Sequence, residues 1–275
     1  MAQLIAEIAR EMATNPLEVG IRIWGKLRER PEQRKPRCNY VPDAQWERAL
    51  HDAVGAELPC TVAKELDSLW RGVLERLSSK GVIPGPASYS GHNDGDQAFI
   101  RAIWRLVRHL KATKVVETGV AHGVTSRFVL EGMRRNGGGR LWSIDLPPQT
   151  ISEVHSQIGA AVDESMTEAW TYVRGSSRRH LRRLLQDTGK IDLFIHDSQH
   201  TEYNMLFEMR AAWPWIRPGG AMVVDDIDLN WAFHTFAEEM PQHLSLVCEA
   251  EPLRPDPLRA RLKQKGLFGI IVKRA

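Results

Sequence analysis

Three carboxylates and a histidine sit at the ends of two apolar runs. Asp197 follows Ile191-Asp-Leu-Phe-Ile195, and His200 lies three residues beyond it. Asp225 and Asp226 follow Ala221-Met-Val-Val224. If the two runs are neighbouring strands, the carboxylates crowd together. They would repel, and at least one would take up a proton unless a cation lay among them. Oxygen ligands favour a hard ion such as Mg²⁺ over zinc, so Asp197, Asp225 and Asp226 are candidate metal ligands. A histidine with a reference pKa of about 6.5 is mostly neutral at pH 7 and can accept a proton from a hydroxyl. A cation nearby would stabilise the alkoxide so formed. Two plainer readings stand beside these: Asp226 as the cap of a following helix, and His200 as the cap of a helix beginning at 201.

Upstream lies a glycine loop, Glu117-Thr-Gly119-Val-Ala-His-Gly123, after the apolar Val115-Val116 and before a helical stretch. Its glycines are spaced G-x-x-x-G. The dinucleotide fingerprint G-x-G-x-x-G brings backbone up to a pyrophosphate, and its absence suits a ligand without one. Glu117 would repel phosphates but could accept hydrogen bonds from an ammonium or from loop N–H groups. Asp145 ends the next apolar run, where an acid can accept both ribose hydroxyls. His122 lies in the loop within reach of a ligand, whereas His196, inside its strand, reads as a packed core histidine.

These groups must be positioned by strands and helices in alternation. The pattern predicts helix 96–111, strand 114–118, helix 124–135, strand 140–145, helix 151–168, strand 170–174 and helix 178–187. Strand 191–196, helix 201–216 and strand 221–225 follow, with Arg217-Pro-Gly-Gly220 as the turn into the last. A hairpin of about 244–250 and 267–273 closes the chain. Such alternation argues for a doubly wound α/β sheet. Ligands then sit outside the carboxyl ends of the strands, where the loop and the acids meet.

Residues 1–80 read as a helical extension that caps the pocket or mediates oligomerisation. Leu4, Ile5, Ile8 and Met12 share a helical face. Asn15-Pro16 opens a second helix through Ile21, Ile23, Trp24 and Leu27, and two more fall near 43–57 and 61–79. Gly81 to Gly95 is the linker or loop, and 96–275 is the catalytic domain. Trp24, Trp46 and Trp70 could bury a dimer or cap interface. Trp213 and Trp215 flank Pro214 and are expected to pack a helix end.

The chain has 275 residues and a net charge of +3, which gives no sign of nucleic acid by itself. Basic stretches at Arg22–Arg37 and Arg174–Arg183 read as solvated helix faces, without the interleaved aromatics of a base-stacking surface. Three cysteines, Cys38, Cys60 and Cys248, are widely spaced. They suggest neither a disulfide framework nor a zinc site, and a reducing cytoplasm is the expected compartment. No membrane span is expected. Met1–Arg10 carries Glu7 and lacks a sustained apolar core, so it does not read as a signal peptide.

The glycine loop, Asp145 and Arg217-Pro-Gly-Gly220 resemble class I S-adenosylmethionine (SAM)-dependent methyltransferases over about residues 96–273. Ile195-His-Asp197-Ser-Gln-His200 with Val223-Val-Asp225-Asp226 resembles the metal-dependent O-methyltransferases, and within them the macrocin and mycinamicin sugar O-methyltransferase group. The resemblance implies a Rossmann-like fold, SAM as methyl donor and Mg²⁺ on Asp197, Asp225 and Asp226. It implies a small-molecule hydroxyl acceptor of sugar or polyketide type, and often a homo-oligomer. Cofactor contacts are expected from Glu117, Gly119, Gly123, Ser126, Asp145, Ser176 and Asp197, with the Arg174-Gly175-Ser176-Ser177 turn near the adenine. His200 would be the general base, where catechol-type relatives use lysine. Tyr203, Asn230 and Trp231 are candidate pocket residues. Two alternatives carry different consequences: a hydroxylase resembling the cephalosporin hydroxylase group, which would call for iron, and a non-catalytic SAM-binding protein.

Overall fold

Four parallel strands carry the predicted boundaries to the residue: β1 (Lys114–Thr118), β2 (Arg140–Asp145), β3 (Trp170–Arg174) and β4 (Ile191–His196). In the computed structural model, which describes residues 12–13, 15–32, 34–82, 95–147, 152–253 and 266–274, they form one sheet with β5 (Ile216–Val224), β6 (Leu244–Glu249) and β7 (Leu267–Val272). The expected helical face of Leu4, Ile5 and Ile8, and residues 83–94 of the expected loop, lie outside the described residues. The strand order is β3-β2-β1-β4-β5-β7-β6. β7 runs antiparallel to both β5 and β6. The order reverses between β1 and β4, so their carboxyl ends open a crevice beneath the glycine loop.

Alternate strand residues point to opposite faces, and the core divides accordingly. Val115, Leu193, Ile195, Ala221 and Val223 pack with α4 (Gln97–His109) and α5 (Val124–Arg135). Val116, Phe194, Met222 and Val224 pack with α6 (Ser177–Thr188), α7 (Glu202–Ala212) and α8 (Ala232–Glu239). Helix α4 is capped by Asp96, whose carboxylate accepts from the Phe99 N–H at 2.8 Å. It is buried nearly all round, from Ala98 to Val107. Such a helix must be covered on both sides. Its outer side is covered by α2 (Trp46–Val54) and α3 (Leu66–Ser79), whose Trp46, Leu50, Trp70 and Leu77 belong to the same core. Trp46 meets Phe268 edge-on and Trp70 lies against Phe128. Both rings therefore pack the N-terminal helices onto the rest of the chain.

Helix α1 (Pro16–Glu32) packs instead against α7. The Glu32 carboxylate accepts from the Glu202 and Tyr203 N–H groups at the start of α7, at 2.8 and 3.0 Å. At its other end, Glu18 accepts from the Ser176 N–H at 3.1 Å, beside the start of α6. Two carboxylates thus hold α1 across two helix N-termini, where negative charge is favoured. Met12, Leu17, Ile23, Trp24 and Leu27 remain exposed.

Three predicted elements differ. Where a helix over 151–168 is expected, the described residues 152–168 form no α-helix; short 3₁₀ turns at Ser152–Gln157 and Glu164–Ala169 flank a turn. There the N–H groups of Gly159 and Ala161 donate to the carbonyls of Ala121 and His122. Gly159 has a positive φ, and a Cβ there would strike the Trp170 ring. Tertiary hydrogen bonds to the glycine loop have replaced the helical ladder. Helix α7 ends at Ala212, and Trp213–Trp215 tightens into a 3₁₀ turn around Pro214. Strand β5 begins at Ile216, with Arg217-Pro-Gly-Gly220 taken into an irregular first stretch.

Candidate active site

A cavity of about 480 Å³ opens at the carboxyl ends of β1, β2 and β4. Its floor is Gly119, Val120, Ala121, Asp145, Ser176, Asp197 and Ser198, and Ile21, Arg22, Gly25 and Lys26 of α1 roof it. Gly119 has φ +86°, and a Cβ at that position would overlap the Asp197 carbonyl. Only glycine lets the loop pass this close to the β4 end. Asp145 is nearly buried and accepts from the Ala121 N–H at 3.3 Å. Ser176 contributes a buried hydroxyl with no hydrogen-bond partner. A ligand that brings hydrogen-bonding groups to Asp145 and Ser176 fits this cavity, and the ribose and base of an adenosine have them.

Of the seven expected cofactor contacts, Gly119, Asp145, Ser176 and Asp197 line the cavity, and Glu117, Gly123 and Ser126 are not among its lining residues. Glu117 is fully buried beneath the loop. It accepts from Ser126 Oγ at 2.6 Å and Ser143 Oγ at 2.7 Å. Burial pushes its carboxyl up to about 7 despite those two bonds, and the charge of Asp145 adds to the rise. It pins the first turn of α5 to β2. Gly123 lets the loop pack on Gly159, whose Cα would lie 2.7 Å from an added Cβ.

Asp197, His200 and Asp225 offer ligand atoms all within 4.8 Å of one another. His200 Nε2 lies 3.7 Å from Asp197 Oδ1, and its Nδ1 lies 3.9 Å from Asp226 Oδ2. Asp197, His200 and Asp225 meet as the strand order requires, and Asp226 lies beside the other ring nitrogen of His200, outside that cluster. Thr201, not His200, caps α7, accepting from the Asn204 N–H at 3.2 Å. Asp226 takes a left-handed backbone, φ +50°, and makes no side-chain cap. Neither residue caps a helix through its side chain, and Asp226 stands outside the Asp197, His200 and Asp225 cluster. Two carboxylates and an imidazole, with a third carboxylate adjoining, make a donor set that a divalent cation could occupy.

Behind this cluster lies a buried network that sequence reasoning missed. His196 and Glu208 are fully buried, with Nδ1 2.6 Å from Oε2. Thr118 Oγ1 also donates to Glu208, at 2.5 Å. Ser198 Oγ and Asn204 Nδ2 donate to its other oxygen at 2.8 and 2.9 Å. Burial alone would raise the pKa of Glu208; the His196 imidazole and the surrounding donors reverse that and hold it low, at about 2. The network ties β1, the Asp197–Ser198 turn and α7 together. His196 meets the His200 ring edge-on, with centroids 5.4 Å apart. No sequence spacing announces Glu208, which arrives from the middle of α7.

The remaining candidates support the site without lining the cavity. His122 is buried with its Nε2 3.2 Å from Gln157 Oε1. Asn230 donates to the His200 carbonyl at 3.2 Å and accepts from the Ala232 N–H at 2.8 Å. The Tyr203 ring lies 3.5 Å from the Arg178 guanidinium carbon. Trp231 Nε1 donates to the Pro36 carbonyl at 2.7 Å.

Residues 116–227 match the family model described as a methyltransferase domain. A search of curated proteins finds no match. Among solved structures, the O-methyltransferase from Bacillus cereus in complex with S-adenosylhomocysteine (SAH) is similar at TM-score 0.53 and 14% identity, covering 83% of this chain and 97% of its own. TomG, the O-methyltransferase of tomaymycin synthesis from Streptomyces achromogenes, solved with SAM, is similar at TM-score 0.51 and 14% identity, covering 75% of this chain and 89% of its own. The SAH-bound methyltransferase PaMTH1 of Podospora anserina gives TM-score 0.52 and 12% identity, covering 86% and 99%. Residues 116–227 are thus similar to a methyltransferase domain, and the sheet has the α/β fold of these solved structures.

Proposed function

We propose that this protein transfers a methyl group from SAM to a hydroxyl of a small molecule, with Mg²⁺ held by Asp197, Asp225 and Asp226. The observation that carries this reading is the meeting of the Asp197, His200 and Asp225 ligand atoms within 4.8 Å, with Asp197 also lining the cavity that contains Asp145 and Ser176. A cosubstrate site and a proton-accepting, cation-binding edge therefore share one residue.

Within this reading, Asp145 accepts the ribose hydroxyls and Ser176 hydrogen-bonds the base. Gly119 brings loop backbone against the methionine portion. A divalent cation on the three carboxylates would supply positive charge that makes a nearby hydroxyl more acidic. His200 takes the hydroxyl proton on a ring nitrogen, and Asp197 and Asp226 flank the imidazolium that results. The oxygen then attacks the sulfonium methyl in line, with SAH leaving, and holding the two reactants together supplies much of the acceleration. The buried Glu208–His196 network keeps the Asp197–Ser198 turn in place while charge changes beside it. Sugar or polyketide-type acceptors are favoured by histidine at position 200, where catechol-type enzymes have lysine.

A hydroxylase using iron would call for two histidines and one carboxylate. His196, the only other histidine beside the cluster among the described residues, is committed to Glu208 and turned into the core. A binding protein without activity has no use for His200 between two carboxylates. The same reading includes residues 1–80 as a cap over a 96–275 catalytic domain, joined by 81–95. It includes a homo-oligomer formed through the exposed Leu17, Ile23, Trp24 and Leu27, and a reducing cytoplasm for the free cysteines. Among the described residues no helix is long and apolar enough to cross a membrane.

Calorimetry on EDTA-stripped protein tests the core of the proposal. SAH should bind, and Mg²⁺ should give a separate binding event that Asp225→Ala abolishes. Absence of SAH binding with and without Mg²⁺ would overturn it.

A further inference from the structure

Away from the cavity, His51 at the end of α2, Cys60 in the following turn and His109 at the end of α4 bring their ligand atoms within 4.8 Å of one another. Cys60 Sγ and His109 Nε2 are 3.4 Å apart, and the two imidazoles meet edge-on with centroids 5.2 Å apart. His51 Nδ1 lies 2.6 Å from the Glu47 carbonyl. A carbonyl can only accept, so Nδ1 carries the proton and Nε2 presents a lone pair. That nitrogen is buried with no hydrogen-bond partner, on a residue that is 1% exposed. An unmatched buried acceptor is costly and calls for a donor or a metal.

We propose that His51, Cys60 and His109 bind one borderline-soft transition-metal ion of the Zn²⁺ class, with the fourth position open to water. Thiolate and imidazole are the ligands such ions select, whereas the acidic edge is built for a hard ion. Tetrahedral zinc with ordinary Zn–S and Zn–N lengths holds its ligand atoms roughly 3.3–3.6 Å apart. The Cys60–His109 pair already has that separation, at 3.4 Å, and the rest of the cluster, within 4.8 Å, needs to close by no more than about 1.5 Å. A ligating histidine characteristically donates its other N–H to a carbonyl, which fixes tautomer and ring; the Glu47 carbonyl does this for His51. Burial lowers the pKa of His109, and the neighbouring guanidiniums of Arg105 and Arg108 act in the same direction, which favours the neutral, ligating ring. Those guanidiniums are themselves offset, Arg105 by Glu47 at 2.9 Å and Arg108 by Glu65 at 4.0 Å. The Cys60 turn is anchored to α4 by the bond from Trp104 Nε1 to the Val62 carbonyl, 2.8 Å. The ion would staple α2 and the turn to α4, and so the N-terminal helices to the sheet.

Titration of metal-stripped protein with Co²⁺ tests this. Wild type should develop a thiolate-to-cobalt charge-transfer band at one equivalent, unchanged in Asp225→Ala and absent in Cys60→Ser. Zn²⁺ should displace the band. It should also raise Tm by roughly 5–10 °C at a hundredfold excess over Kd and slow alkylation of Cys60 in wild type at least about tenfold. The alkylation readout needs no variant and survives a failure of Cys60→Ser to fold. No charge-transfer band in wild type, a band that persists in Cys60→Ser, or alkylation indifferent to Zn²⁺ would each overturn the proposal. The methyltransferase reading is untouched by any of these outcomes.

Discussion

Two clusters of three potential ligands lie in this molecule, and they differ in scaffold as much as in chemistry. Asp197, His200 and Asp225 hang from the ends of β4 and β5, are all partly exposed and adjoin a cavity. His51, Cys60 and His109 sit at two helix ends and a turn, with His51 buried. Strand ends leave side chains free to face solvent and substrate, while the paired strands behind them hold their places. Helix ends packed on one another turn their groups inward, where they can only hold the packing together. The first arrangement suits turnover and the second suits stability.

Asp225→Ala should break the first cluster alone. Methyl transfer should fall about 10³-fold or more, since charge stabilisation of several kcal/mol is lost, while SAH affinity changes little. Turnover assays and calorimetry on one preparation check both. Full activity in this variant would remove the cation from the mechanism.

His200→Ala sharpens the chemistry within that cluster. A general base contributes about 10²–10⁴ in rate, so kcat should drop by that range and the alkaline-rising limb of the pH–rate profile should flatten. A variant that instead loses Mg²⁺ affinity in proportion to rate would make His200 a ligand and not a base.

His196→Leu asks whether the network behind the site carries stability. It leaves the Glu208 carboxylate fully buried without the imidazole beside it, at a cost of about 1–3 kcal/mol. The double change with Glu208→Leu should recover most of that, which denaturant unfolding would reveal as strong coupling. Because Glu208 titrates below its ordinary value, its contribution is full above about pH 4.5 and is lost as pH falls toward about 2. Additive single effects would reduce the network to ordinary packing.

What could be read from the sequence follows the same division. Strand ends are marked locally, by an apolar run that stops at Asp145, Asp197 or Asp225, and strand order does the rest. The bounds of β1 to β4 were legible for that reason. Contacts made across the fold left no local mark. Ile21, Arg22, Gly25 and Lys26 read as ordinary helix residues, and nothing in their pattern announces a roof over Gly119. Cys60 and His109 are separated by 49 positions, so only the packing of α2 and α4 brings them together. Residues 151–168 misled because their backbone bonds go to the glycine loop and not along a helix.

Glu117 stands between the two kinds of region: a carboxylate in the ligand-binding loop that is buried like core. Its pKa is pushed up to about 7 by burial against the opposing bonds from Ser126 and Ser143. A carboxyl raised in the folded state binds more protons there than in the unfolded chain. Its favourable contribution is therefore full below about pH 4.5 and is lost as pH rises through about 7. Glutamine keeps an oxygen for the two serine hydroxyls and carries no charge to bury. Glu117→Gln should thus unfold with a flatter dependence on pH between about 5 and 8, and at pH 8 should exceed wild type by about 1–3 kcal/mol. Thermal unfolding across that range reads both effects. SAH binding should persist, because Glu117 does not line the cavity. If the variant instead loses SAH at unchanged stability, Glu117 belongs to the ligand site after all, and the boundary between the two regions moves one layer deeper into β1.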